Sequence, residues 1–369
     1  MRIAVGLISV ALLAVMLAEF FFVFLLPRRV KRDPRIARGL LLGLWVPWRA
    51  VAARLPRVAA DTALGAFGPF GLLAILGLLS IGVICGYCGL QWAVASHLGI
   101  GHPAALSEDL YFSAGTFFSA SAPSVPGGVL GKLLQVAEAA TGFGFLAIAI
   151  GYLPALFQAF SRRETAVSRL DPRAGSPPSA AALLERTALR GGWHELDEYL
   201  REWESWTAEL METHLSYPIL GYFRSQHVNQ NWLAALTTIV DASAYAIAYG
   251  PHESIEAAEL TFRLGRHALA DLTYAFGSRG LQRDPSLARE RLTNEALAEL
   301  RRRLETSGLH VEDSDESAQR LARLRSGYEP YAIAISRQLA LALPGWLPGA
   351  VQENWRAAAD RGQHDRPAA

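Results

Sequence analysis

The chain has 369 residues, 51% of them apolar, and its 35 basic residues nearly cancel its 34 acids to leave a formal charge of +1. So even a balance excludes the electrostatic footprint of a nucleic-acid binder. The apolar residues are concentrated in the first 160 positions and the remainder is charged and arginine-rich, so two regions with different solvents are implied.

Residues 1–26 form an apolar run broken by Glu19. At about 1.5 Å per residue it is long enough to cross a hydrocarbon core of roughly 30 Å. A secretory signal is the competing reading, but the apolar core is too long and Pro27 with a basic cluster follows it instead of a small-x-small cleavage pattern. Residues 27–65 are basic, with too short an apolar stretch to span. Trp45, Trp48, Arg49, Arg54 and Arg57 predict a helix lying in the interface, indoles at headgroup depth and arginines on anionic lipid. A second span is predicted over 66–97; its Cys85 and Cys88 read as small packing residues, since no βαβ context supports a redox pair.

Residues 107–118 begin with Ser107 as an N-cap and Glu108 and Asp109 in the first turn, and predict a short buried helix. At about a dozen residues it reaches only roughly 18 Å and cannot cross. The hydroxyl-, proline- and glycine-rich stretch 119–128 follows, and then a third span over 129–160. A short helix and a polar loop between two spans is the pattern of a re-entrant segment. Irregular backbone at membrane depth needs protein or water around it. An ordinary outer loop is the plainer alternative. Glu138 lies inside the third span, where an acid is either functional or paired; Gly142, Gly144, Gly151 and Pro154 punctuate that span as gating points or close-packing sites. The basic residues of 27–65 and Arg162 and Arg163 place the N-terminus and the 119–128 loop outside and everything after Ser161 in the cytoplasm of a cell (inner) membrane protein.

The segment 109–164 resembles the pore helix, filter and inner helix of the prokaryotic potassium-channel family with two transmembrane helices per pore unit. Tyr111, Phe112, Ser113, Thr116 and Ser119 match the family's pore-helix pattern, Gly131 and Lys132 its Gly-Arg, and Gly142 its hinge glycine. The filter departs: Ser121, Ala122, Pro123 and Ser124 stand where the family has Gly-Tyr-Gly-Asp. Pro123 fixes φ near about −65° and has no N–H, and it biases Ala122 toward extended angles, so a stack of carbonyl rings is not expected. The resemblance implies a homotetramer conducting inorganic ions. Thr116, Ser119, Ser121 and Ser124 would ring a wide mouth beside Ala120, with weak selectivity. Lys132 near the outer mouth opposes cations, and Glu138 favours them if it faces the lumen. A non-conducting sensor or scaffold on the same architecture is the alternative.

Residues 161–181 read as a proline-rich linker, 182–355 as a helical cytoplasmic domain and 356–369 as a polar, disordered tail. His214, His227, His267, Glu212, Asp241 and Asp271 suggest a metal or ligand site, against which satisfied core polarity is the better reading. Residues 216–232 read either as a recognition surface or as a helix junction. No phosphate-binding glycine loop, nucleophile elbow or zinc-protease helix occurs, so neither enzyme, cofactor nor metal is expected. The fold class expected is an all-α membrane protein with a helical cytoplasmic domain.

Overall fold

Glycines let the first helix sink into the third. The computed structural model describes residues 1–26, 36–95, 98, 104–120, 125–226, 229–251, 255–277, 291–309, 311 and 314–349, and every regular element among them is helical. The chain divides into two compact units, Met1–Gln158 and Ala159–Ala369.

In the first unit α1 (Arg2–Phe20), continued by a π-helical turn (Phe21–Leu25), packs along α3 (Arg57–Ala93). Gly82, Gly86 and Gly89 line the contact, and a Cβ there would stand 2.5 Å from Met16 Sδ, 2.6 Å from Leu13 Cγ and 2.1 Å from Ser9 Oγ. Without a solvent-driven force in lipid, this close van der Waals approach is what holds such helices together. Glu19, the acid inside the first span, is buried and accepts the Ala37 N–H at 2.9 Å, so its carboxylate caps the N-terminus of α2 (Ile36–Ala52).

α2 packs on α3 through its tryptophans. Trp45 is 1% exposed with its ring 4.7 Å from Phe67, while Trp48 stacks on Phe70 at 4.9 Å and donates Nε1–H to the Ala63 carbonyl at 2.8 Å. Both indoles thus pack against the aromatic face of α3. Arg54 and Arg57 are exposed and Arg49 is half-buried. The short α4 (Leu106–Phe117) follows, and then the long α5 (Gly128–Ala174).

The expected linker 161–181 is instead helical to Ala174. Val167, Leu170 and Ala174 are buried in the second unit, and their burial carries the helix past Arg169; it ends at Gly175, whose φ is +86°. The rest of that unit comprises α6 (Ala180–Ala188), α7 (Gly192–Ser216), a 3-10 turn (Pro218–Tyr222), α8 (Trp232–Tyr249), α9 (Glu256–Ala275), α10 (Asn294–Thr306), α11 (Asp315–Ser326) and α12 (Glu329–Leu339). A turn at residues 189–191 separates α6 from α7, whose first residue, Gly192, has φ +64°. All of α8 is buried, packed on by α6, α7, α9, α11 and α12. Among the described residues four helices are long and apolar enough to cross a membrane: Arg2–Leu25, α3, α5 and α8. The enclosure of α8 accounts for its apolarity as the core of this unit.

Candidate functional site

α4 starts at Leu106 with Ala105 as its N-cap, two residues before the predicted Ser107 cap. The Glu108 carboxylate reaches back to accept the Ala105 N–H at 2.8 Å, satisfying one of the donors a helix start leaves open. The helix ends at Ser119, which takes the left-handed conformation with φ +55° and donates its N–H to the Thr116 carbonyl at 3.1 Å. That conformation is unusual for a side chain with a Cβ and turns the backbone sharply out of the helix. Ser119 and Ala120 are exposed, and Ser121, Ala122, Pro123 and Ser124 lie outside the described residues.

α4 and α5 meet in parallel. A Cβ on Gly142 would stand 2.0 Å from the Phe117 carbonyl oxygen, and one turn earlier on each helix the Ser113 hydroxyl faces the Glu138 carboxylate without closing a hydrogen bond to it. Phe117 packs edge-on to Phe145 at 5.4 Å, and Phe145 stacks on Phe20 at 3.8 Å. α3 also holds α5 beside this contact: Gln91 Nε2–H donates to the Gly131 carbonyl at 3.2 Å, and the Tyr87 and Thr141 hydroxyls are 3.0 Å apart.

This seam holds Thr116, Glu138 and Gly142 together and leaves the other predicted residues elsewhere. Glu138 is 0% exposed and Thr116 5% within a single chain, and among the described residues neither carboxylate oxygen nor the Ser113 and Thr116 hydroxyls have a hydrogen-bond partner. A side chain enclosed by its own chain cannot line a lumen between copies. Thr116 and Glu138 thus lie in the interior of the chain, as the structural reading of Glu138 expects, and Ser119 and Ala120 form the exposed end of α4. Gly142 is a packing site, whereas Gly144 and Gly151 have nothing within 4 Å of an added Cβ. Lys132, Gly151 and Pro154 are exposed on α5, which runs through Pro154 as one helix. Ser113, Tyr87 and Gln91 were not singled out in the sequence for this seam; the spacing of Ser113 and Thr116, three apart on one helix, is the signal that marks a polar face.

In the second unit the described members of the His and acid constellation lie apart. Among the described residues no group of three or more His, Cys, Asp or Glu side chains is placed to hold an ion, and His227 lies outside them. Asp241 instead takes two hydrogen bonds from Arg291, at 3.2 and 2.6 Å, and one from the Tyr328 hydroxyl. Arg291 also donates to Glu329 at 2.8 Å, and Arg325 and Trp346 Nε1–H complete that carboxylate's partners. Burial and the neighbouring Asp241 hold the Tyr328 phenol well above its usual range; burial opposes charge on Arg291, but Asp241 more than restores it. His267, exposed, and Asp271, half-buried, form a pair at 3.4 Å one turn apart.

Of the aromatic and polar stretch 216–232, the described residues 216–226 form a helix junction at Arg163. This side chain is buried beneath the end of α7 and donates to the Leu220 and Phe223 carbonyls, each at 2.9 Å, with Glu164 alongside at 2.8 Å. Arg224 ties the same junction to the Leu339 and Ala340 carbonyls at 3.1 and 2.7 Å. No protein-family model, no characterised protein and no solved structure matches the chain.

Proposed function

We propose that the first unit is the pore-forming part of an ion channel of potassium-channel architecture, built from several copies of the chain, four by the resemblance of 109–164, in a cell (inner) membrane. The observation that carries this reading is α4. A twelve-residue helix too short to cross a bilayer packs against two helices that are long enough, and it ends in an exposed hydroxyl on sharply turned backbone. With Ser121, Ala122, Pro123 and Ser124 in place of a glycine-bearing filter, the mouth passes inorganic ions with much of their water and selects weakly. The basic segment faces the cytoplasm with Arg49, Arg54 and Arg57 at anionic headgroups, the N-terminus lies outside, and the second unit is a cytoplasmic regulatory domain.

Purified full chain in planar bilayers under asymmetric salt tests the reading. Single-channel steps are expected, with a reversal potential far from that of potassium. Ser119→Asp, at the exposed end of α4, shifts that potential toward cations, while Glu138→Gln, enclosed in its own chain, leaves it in place. Silence across voltage, pH, calcium and tension replaces the channel with a non-conducting sensor or scaffold.

A further inference from the structure

The seat of Arg163 contains one acceptor that acid can remove. The Nδ1 of His214 lies 2.9 Å from the Leu210 carbonyl one turn back on α7, so Nδ1 carries the hydrogen. Its Nε2 lies 3.2 Å from Arg163 Nη1, and a guanidinium only donates, so Nε2 must present its lone pair. These two contacts together fix His214 as the neutral Nδ1–H tautomer. No other state of the ring satisfies both.

We propose that His214 is an acid-operated release for the end of α5: a proton on Nε2 sets an N–H and a positive charge against the Arg163 guanidinium and drives Arg163 off α7 and the 3-10 turn. The surroundings of the ring leave little to absorb that charge. From α5 it meets Arg163, with Glu164 engaged to the same guanidinium; from its own helix the Leu210 carbonyl and Thr213 hydroxyl; from α8 the Trp232 ring, 4.9 Å away. His214 is 0% exposed, and burial followed by the Arg163 charge holds its pKa well below the ordinary histidine value. When Arg163 leaves, the Leu220 carbonyl keeps only the Phe223 N–H at 3.0 Å, the Phe223 carbonyl loses the guanidinium, and the junction of 216–223 with α5 loosens. The release is independent of whether the first unit conducts.

The sign of the pH effect follows from the lowered value. Above about pH 6.5 neither the folded nor the unfolded imidazole holds the proton and stability is level. As pH falls below that, the unfolded chain takes up a proton the folded one refuses, and stability declines until the folded ring is itself protonated. Full chain in lipid nanodiscs is melted from about pH 8 to about pH 4, across the histidine range, with His214→Gln beside it. The glutamine oxygen accepts from Arg163 and does not titrate, so the variant is expected to lose the part of the acid-dependent fall in melting temperature that begins below pH ~6.5. Parallel falls in both proteins overturn the proposal. Nitrogen NMR of histidine-labelled wild-type chain gives a second reading that needs no variant to fold. A buried ring with Nδ1 protonated and Nε2 bare down to the acid transition supports the release, and a histidine set with no such ring overturns it.

Discussion

Gly142 and Gly144 look alike in the sequence, two glycines two residues apart in an apolar helix, yet they differ in what surrounds them. A methyl group on Gly142 meets a main-chain carbonyl at 2.0 Å, which cannot swing away, while one on Gly144 meets nothing within 4 Å. Gly142→Ala is therefore expected to displace α4 or cost about 1–3 kcal/mol or more, typical of overpacking, and Gly144→Ala to be neutral or slightly stabilising. Melting temperatures of the two variants in detergent check this; equal shifts would mean that α5 does not press on α4 at Gly142. The resemblance of 109–164 implied a hinge at Gly142, and spacing alone cannot separate a hinge from a close approach, because both need the missing side chain. Glu138 was legible as an acid in an apolar run. What it faces was not, since that depends on the register between two helices and no residue in the sequence states it.

At the scale of elements, α8 shows how composition misleads. Its run of alanine, leucine and isoleucine is apolar enough to cross a membrane, yet helices of the second unit cover it on every side and it carries Asp241 into that core. Read from the sequence, Asp241 was a possible metal ligand, because its partner Arg291 lies 50 residues further along and only the fold brings the two together. A carboxylate buried beside two arginines, a tyrosine and a second carboxylate is stable only as a set. Asp241→Ala leaves Arg291 without its bidentate partner and is expected to destabilise the unit by about 3–5 kcal/mol. Replacing the pair by Asp241→Leu with Arg291→Met leaves Glu329 with Arg325 and Trp346, and so costs less than the single change. Denaturant unfolding followed by tryptophan fluorescence compares them; a double variant weaker than the single would show that Arg291 serves Glu329 more than Asp241. The same scale explains α5. Its apolar third span was read to end at 160, and it continues to Ala174 because the next three turns bury Val167, Leu170 and Ala174 in a core the local sequence does not reveal.

At the scale of the whole molecule, one chain does not close a pore, and exposure within that chain separates two kinds of surface. Val129, Leu133, Val136, Phe143, Ile150 and Phe157 leave an apolar face on α5 uncovered, with Phe143 68% exposed. Lipid satisfies such a face as well as protein does, so it decides nothing about assembly. The end of α4 is different. Ser119 and Ala120 are exposed on backbone that has left the helix, and hydrocarbon satisfies neither a free N–H nor a carbonyl, so at membrane depth this segment requires water or another copy. If copies meet there around one axis, Ser119 of each chain comes near its equivalents, and a cysteine at that position bonds across chains once the Cα atoms approach within about 7 Å. In a background with Cys85→Ala and Cys88→Ala, Ser119→Cys is expected to oxidise to linked pairs in membranes, while light scattering of the native assembly still gives four copies, since each cysteine can be used only once. A Ser119→Cys protein that labels readily with a maleimide but never cross-links would place α4 away from any shared axis, and with it the conduit itself.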